Sequence, residues 1–272
     1  MLPLVALACA CMGNRTDSQS DADSLGVGSG QTIVLDSITC HRHKNLIEGQ
    51  DAPSYDITLA LLAAQGDDEA SRTFNEQLCL ALYGKQSITL DSAMHFLADS
   101  LATSYAADLK EMFEPGADDA FTFQYTYEVK ASVDSASHPG VAAYTTDLYA
   151  YLGGAHGSRE VTCANLSLLT GKTIHAADFF QEDKQAEVKQ LVEQSLTKQY
   201  GCANMDQLAE KTFIGALGEV SVRDNNFLLL RDSVEFVYNP YEIAPWACGL
   251  ITTRVAYSAL APYTHQDILS RK

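Results

Sequence analysis

Positive charge is what this 272-residue sequence has least of: 18 Lys and Arg stand against 35 Asp and Glu, a formal net charge of −17. A surface of that sign repels nucleic acid and anionic lipid, so neither is expected as a partner. It leaves cationic ligands, or plain solubility, as the use of the charge. No segment beyond the first residues approaches the ~20 apolar residues that a membrane-spanning helix needs. CxxC pairs, GxGxxG, the Walker A loop and HExxH are all absent, so no cofactor and no metal centre are expected. Gly28-Ser29-Gly30 lies in a polar leader and is neither a nucleophile elbow nor a phosphate loop. Tryptophan occurs once. The length and apolar content suffice for one large domain or two modest ones.

The leader comes in two parts. Met1 to Cys11, MLPLVALACAC, is a short apolar run ending in small residues and cysteine. It resembles the end of a bacterial lipoprotein signal peptide, although no Lys or Arg precedes the run. The resemblance makes Cys9 the expected lipidation site, with Cys11 as the alternative, and assigns residues 1–13 to a signal-like segment. Residues 14–31 are rich in Ser, Asp and Gly, the composition of a flexible tether. Lipid anchor and leash together predict attachment to the bacterial cell envelope, in the outer membrane and periplasm or at the cell surface. Five further cysteines, Cys40, Cys79, Cys163, Cys202 and Cys248, are widely spaced. One disulfide, or buried free thiols acting as small hydrophobes, fit them equally.

Hydrophobic period then gives the order of elements. Residues 32–47 and Tyr55–Ala63 read as strands. A helix follows on Ala70, Phe74, Leu78 and Leu82, ending at Gly84. Thr89 or Asp91 caps a longer helix with the stripe Leu90, Met94, Leu97, Leu101, Tyr105, Leu109 and Met112. Residues 121–133 alternate strictly, and His138-Pro139-Gly140 turns them into a returning strand at Val141–Leu152, an antiparallel pair. Another strand at Glu160–Leu168, a helix at Glu182–Tyr200 and a short helix at Met205–Phe213 precede Asn226–Leu230. Strands gathered beside helices with hairpin connections predict an α+β fold, an antiparallel sheet packed with helices. Two subdomains are expected, 32–116 and 117–272, divided near Pro115–Asp119.

The segment 232–260 organises the second half. Val234, Phe236 and Tyr238 alternate with Ser233, Glu235 and Val237 as a half-buried strand, which Asn239-Pro240 stops. From Gly249 the alternation resumes at Ile251, Thr253 and Val255. Between the prolines lies the corner Tyr241-Glu242-Ile243-Ala244-Pro245-Trp246. Stiff aromatic loops serve as core plugs or as recognition surfaces. Glu242 is its one acid, placed either to react or to lock the loop by accepting backbone N–H bonds.

Gly153-Gly154-Ala155-His156-Gly157 is the sharpest local motif, since three glycines admit close backbone approach and His156 is a potential ligand or base. With no nucleophile or carboxylate pair near it in sequence, a shaped turn is the favoured reading. His41 and His43 share a strand face, as zinc ligands do, but Arg42 and Lys44 beside them make a solvated basic patch the better reading.

Three stretches carry a resemblance to a known family: Tyr151–Gly157, Leu169-Thr170-Gly171-Lys172 running to Asp178-Phe179-Phe180, and Tyr238–Pro245 with Gly249. In them the chain, from about Thr122 to Tyr263, resembles the RsiV-like extracytoplasmic domains. The resemblance implies an α+β fold and an envelope location. Its best-understood member type is an anti-sigma factor whose outer domain binds lysozyme, and other members carry the module beside a peptidoglycan deacetylase. This chain has neither a sigma-binding segment behind a membrane helix nor a deacetylase metal motif. It is therefore expected to be a non-catalytic, lipid-anchored binding module for lysozyme or another cationic envelope ligand, with His156, Gly153, Gly154, Tyr241, Glu242 and Trp246 as binding residues. Peptidoglycan is the other ligand class left open. The alternative is an envelope glycan hydrolase or a deacetylase-associated accessory domain, which would require His156 and Glu242 to reach a common point.

Overall fold

Strand β1 (Leu35–Asn45) and strand β2 (Ser54–Ala64) form an antiparallel pair with Cys40 opposite Leu59. The computed structural model describes residues 33–47, 53–84, 88–112, 123–265 and 267. The expected signal segment, the tether, Cys9, Cys11 and the Pro115–Asp119 boundary lie outside the described residues.

One face of β2, from Tyr55 through Ile57, Leu59 and Leu61 to Ala63, is buried. Helices α1 (Glu69–Tyr83) and α2 (Leu90–Met112) cover it. The Asp68 side chain caps α1 by accepting from Ser71 N at 3.0 Å. Thr89, rather than Asp91, caps α2: its Oγ1 accepts from Ser92 N at 3.2 Å. Leu90, Met94, Tyr105 and Leu109 of the expected stripe are buried, but Met112, the last residue of the helix, is 50% exposed.

Strand β3 (Gln124–Val133) returns beside β2, and β4 (Val141–Tyr151) and β5 (Ser158–Ser167) complete a five-stranded sheet in chain order. The β2–β3 pair is parallel, a correction to the expected antiparallel sheet. The two intervening helices supply the long crossover that a parallel pair needs and a hairpin does not. This sheet takes strands from both sides of the expected 116/117 division.

The rest of the chain builds a second, three-stranded antiparallel sheet of β6 (Phe227–Leu229), β7 (Ser233–Tyr238) and β8 (Ile251–Ala256). Short helix α3 (Ala176–Phe179), long helix α4 (Gln185–Gln199), α5 (Met205–Thr212) and α6 (Tyr257–Leu260) surround it. Strand β7 departs from its half-buried expectation, because both of its faces meet a core. Val234, Phe236 and Tyr238 pack with Val188, Val192 and Leu196 of α4. On the other face Val237, with Leu228 and Leu230, meets Ala143, Val161 and Cys163 of the large sheet. Strands β4 and β5 likewise divide their side chains, sending Ala142, Tyr144 and Leu166 to the α1–α2 core. The layers at this end are therefore helices, large sheet, small sheet, helix, a mixed fold of helices and two sheets.

Candidate functional site

The β4–β5 hairpin and the β7–β8 corner meet. Gly153 and Gly154 adopt φ of 85° and 91°, a left-handed path open to glycine, and the Tyr151 hydroxyl donates to Gly154 O at 2.8 Å. This turn carries His156 to Trp246, whose ring lies edge-on with centroids 6.2 Å apart and planes at 64°. His156 Nδ1 and Trp246 Nε1 are both buried, and neither has a hydrogen-bond partner among the described residues. Two candidates far apart in sequence thus become one contact.

The corner is held from below by an asparagine. Asn239 Oδ1 accepts from Val161 N at 2.7 Å and its Nδ2 donates to Val161 O at 2.9 Å, fixing the end of β7 to the middle of β5. Glu242 Oε2 accepts from Asn239 N at 3.1 Å and forms an ion pair with Arg223 Nη2 at 2.7 Å. The locking role of Glu242 is the one its bonds describe, and its carboxylate is committed to a backbone amide and a guanidinium. Among the described residues no hydrogen bond or ring contact joins His156 to Glu242. Tyr241 sits at the tip with φ 69°, its N–H donating to Ala244 O at 2.9 Å, and is 41% exposed.

A third loop, residues 213–218 after α5, packs under this corner. Gly215 N donates to Ile243 O at 2.6 Å and Cys248 Sγ to Thr212 O at 3.2 Å. Gly218 lies so close to Glu242 O that a Cβ there would collide with it. Sequence reasoning singled out neither this loop nor Arg223, and it read Asn239 only as the residue before a proline. The one available signal was indirect: a corner that holds an acid needs a cation or amides near it.

The β1 histidines stand apart from this site. His41 Nε2 and His43 Nδ1 lie 3.3 and 3.4 Å from the same Asp56 Oδ2, so the expected basic patch contains a carboxylate on the neighbouring strand. Among the described residues no group of three or more His, Cys, Asp or Glu is arranged to hold a metal ion. All five described cysteines are free thiols. Burial raises Cys40 and pushes Cys163 up to about 12, which leaves both as packed, unreactive groups. Among the described residues no helix is long and apolar enough to cross a membrane.

Residues 177–258, from α3 through the corner to α6, match the model of a family described as "Protein of unknown function (DUF3298)". A crystal structure of a DUF3298 family member from Bacteroides fragilis aligns with TM-score 0.77 and 20% identity, covering 88% of this chain and 97% of that one. A DUF3298 family protein from Pseudomonas aeruginosa aligns with TM-score 0.58 and 14% identity, over 86% of this chain and 96% of its own. At these identities the likeness is one of fold. No curated protein matches the chain.

Proposed function

We propose that this chain is a lipid-anchored, non-catalytic binding module of the bacterial cell envelope, of the RsiV-like kind, whose ligand is lysozyme or another cationic envelope protein. The observation that carries the reading is the state of Glu242. A general base needs a free carboxylate near the group it deprotonates, and this one is held by Arg223 and the Asn239 amide. His156, the other residue the hydrolase alternative requires, is packed on Trp246. A corner locked by its only acid and tipped with an exposed tyrosine is built to present a shape.

The net charge of −17 supports the choice of ligand, since an acidic surface steers a basic protein over distances longer than contact. Titration with a c-type lysozyme is the test. Binding is expected at low salt, weakening as salt rises, with a salt-insensitive part supplied by the corner. Of the aromatic residues expected to supply it, Trp246 has a buried Nε1 and Tyr241 is 41% exposed, so Tyr241→Ala is expected to remove that part while the thermal melt stays in place. Absence of binding by the folded parent at low salt overturns the lysozyme reading.

The anchor has its own test. Palmitate labelling of the full natural chain is expected to vanish in Cys9→Ser. Labelling that survives there and is lost in Cys11→Ser moves the site by two residues, and none in the parent removes the lipoprotein reading.

A further inference from the structure

Two residues other than glycine have positive φ among those described, Phe213 at 63° and Tyr241 at 69°. Both are aromatic, and both are exposed, at 59% and 41%. In left-handed backbone the Cβ crowds a carbonyl, so a bulky side chain there is uncommon and glycine is the low-energy choice. Phe213 closes α5, its N–H bonded to Ala209 O at 2.9 Å, at the position where helices usually place Gly or Asn. It belongs to none of the buried cores, so packing gives no reason for a phenylalanine. Strained backbone that survives without a structural return is characteristic of functional surfaces.

These two residues share one neighbourhood, because their loops are bonded through Gly215 to Ile243 and Cys248 to Thr212. Leu217, two residues beyond Gly215 on the same loop, is 53% exposed. Phe213, Leu217 and Tyr241 are thus three large, exposed apolar side chains on two mutually bonded loops, a grouping that singly scattered surface residues do not give. The setting is acidic: within residues 200–220, Asp206 and Glu210 stand against Lys211, while Glu219 is paired with Lys189 of α4.

We infer that Phe213, Leu217 and Tyr241 form the desolvated anchor by which this chain holds a basic protein, the acidic surround matching the cations around an apolar side chain of that partner. The inference rests on the binding-module reading above. It assigns the contact to the α5 loop as much as to the β7–β8 corner. Aromatic anchors at the centre of an interface carry most of its affinity, and losing one weakens Kd on the order of thirty-fold.

Phe213→Gly is the decisive variant, because glycine relaxes the backbone while deleting the anchor. In calorimetric titration of the full chain with a c-type lysozyme as probe, Kd is expected to weaken about thirty-fold with the salt dependence unchanged. The melting temperature is expected to hold or rise. Leu217→Ser, in a solvent-facing position, is expected to weaken Kd about tenfold. Unchanged Kd in both variants, with a binding parent, overturns the anchor and leaves the binding module standing. A melting temperature that falls in Phe213→Gly makes the side chain a packing residue and likewise overturns it. A folded parent that binds neither lysozyme nor cytochrome c nor poly-lysine overturns the anchor and the reading beneath it together.

Discussion

Asn165 and Asn239 clamp the two sheets from opposite directions with the same chemistry. Asn165 of β5 donates from Nδ2 to Phe227 O at 3.0 Å and accepts at Oδ1 from Leu229 N at 2.7 Å. Asn239, at the end of β7, does the same to Val161 N and O of β5. Each carboxamide replaces a peptide group, so the edge of β5 is joined to the small sheet through side chains where no backbone ladder forms. A buried edge left unpaired would strand polar backbone groups.

Asn165 is fully buried, so its replacement exposes the cost directly. Asn165→Ala leaves Phe227 O and Leu229 N without partners and is expected to destabilise the fold by about 3 kcal/mol. Asn165→Asp keeps the acceptor, turns the donor into a repelled carboxylate and is expected to cost more. Denaturant unfolding measures both. A change under about 0.5 kcal/mol in the Ala variant would mean that water replaces the clamp.

Gly171 predicts a second, independent seam. With φ at 72°, it lies against the backbone of α1, where a Cβ would run into Ala70 O and the amide of Phe74. Neither obstacle is a side chain that can swing away. Gly171→Ala is therefore expected to cost more than 3 kcal/mol, combining the left-handed penalty with displacement of the helix. A loss of 1 kcal/mol or less would place the β5–α3 turn farther from α1 than described here.

His138 sets a pH dependence. Burial lowers its pKa below the ordinary 6.5, its Nδ1 lies 2.8 Å from Pro139 O and Tyr257 meets its ring edge-on. A histidine held neutral in the fold binds fewer protons than in the unfolded chain once pH drops below that ordinary value. Stability from this group is therefore present above about pH 6.5 and is lost as pH falls toward the folded pKa. Melting temperatures between pH 7.5 and 5.5 should fall in the parent and fall less in His138→Gln. Equal slopes would remove His138 from the account.

What the sequence made legible follows the range of each interaction. Element type and order depend on local period, and strands, caps and turns from β1 to β8 follow it, including the Gly84 and His138–Gly140 stops. The parallel β2–β3 pair was not legible, because orientation is decided by where α1 and α2 return the chain. Strand β7 alternates like a surface strand, yet Val237 is buried because a second sheet covers it, a fact held in β4 and β5. The candidate site was half legible. Glycines mark the His156 turn and prolines mark the Trp246 corner, but their contact, the Arg223 partner of Glu242 and the Phe213 loop depend on pairings 19 or more residues distant. Phe213 carried a misleading signal, since an aromatic residue closing a helix reads as core.

The role assigned to Glu242 can be separated from the catalytic one by two substitutions at that position. Glu242→Gln retains an oxygen for the Asn239 amide and loses the charge facing Arg223, whose side chain is 41% exposed and partly solvated. The loss is expected to be about 0.5–1 kcal/mol after solvent screening, with ligand affinity nearly unchanged. Glu242→Ala removes both acceptors, frees the corner to move and is expected to cost about 2 kcal/mol. Because Tyr241 is positioned by that corner, the Ala variant should also weaken ligand binding several-fold, mainly through faster dissociation. A general base would behave otherwise. Gln cannot accept a proton at neutral pH, so a catalytic Glu242 would be as inactive in the Gln variant as in the Ala variant, whatever the stability. Affinity that tracks stability across Gln and Ala supports the lock; turnover of an envelope glycan by the parent, abolished equally in both variants, would replace the lock with a catalytic carboxylate.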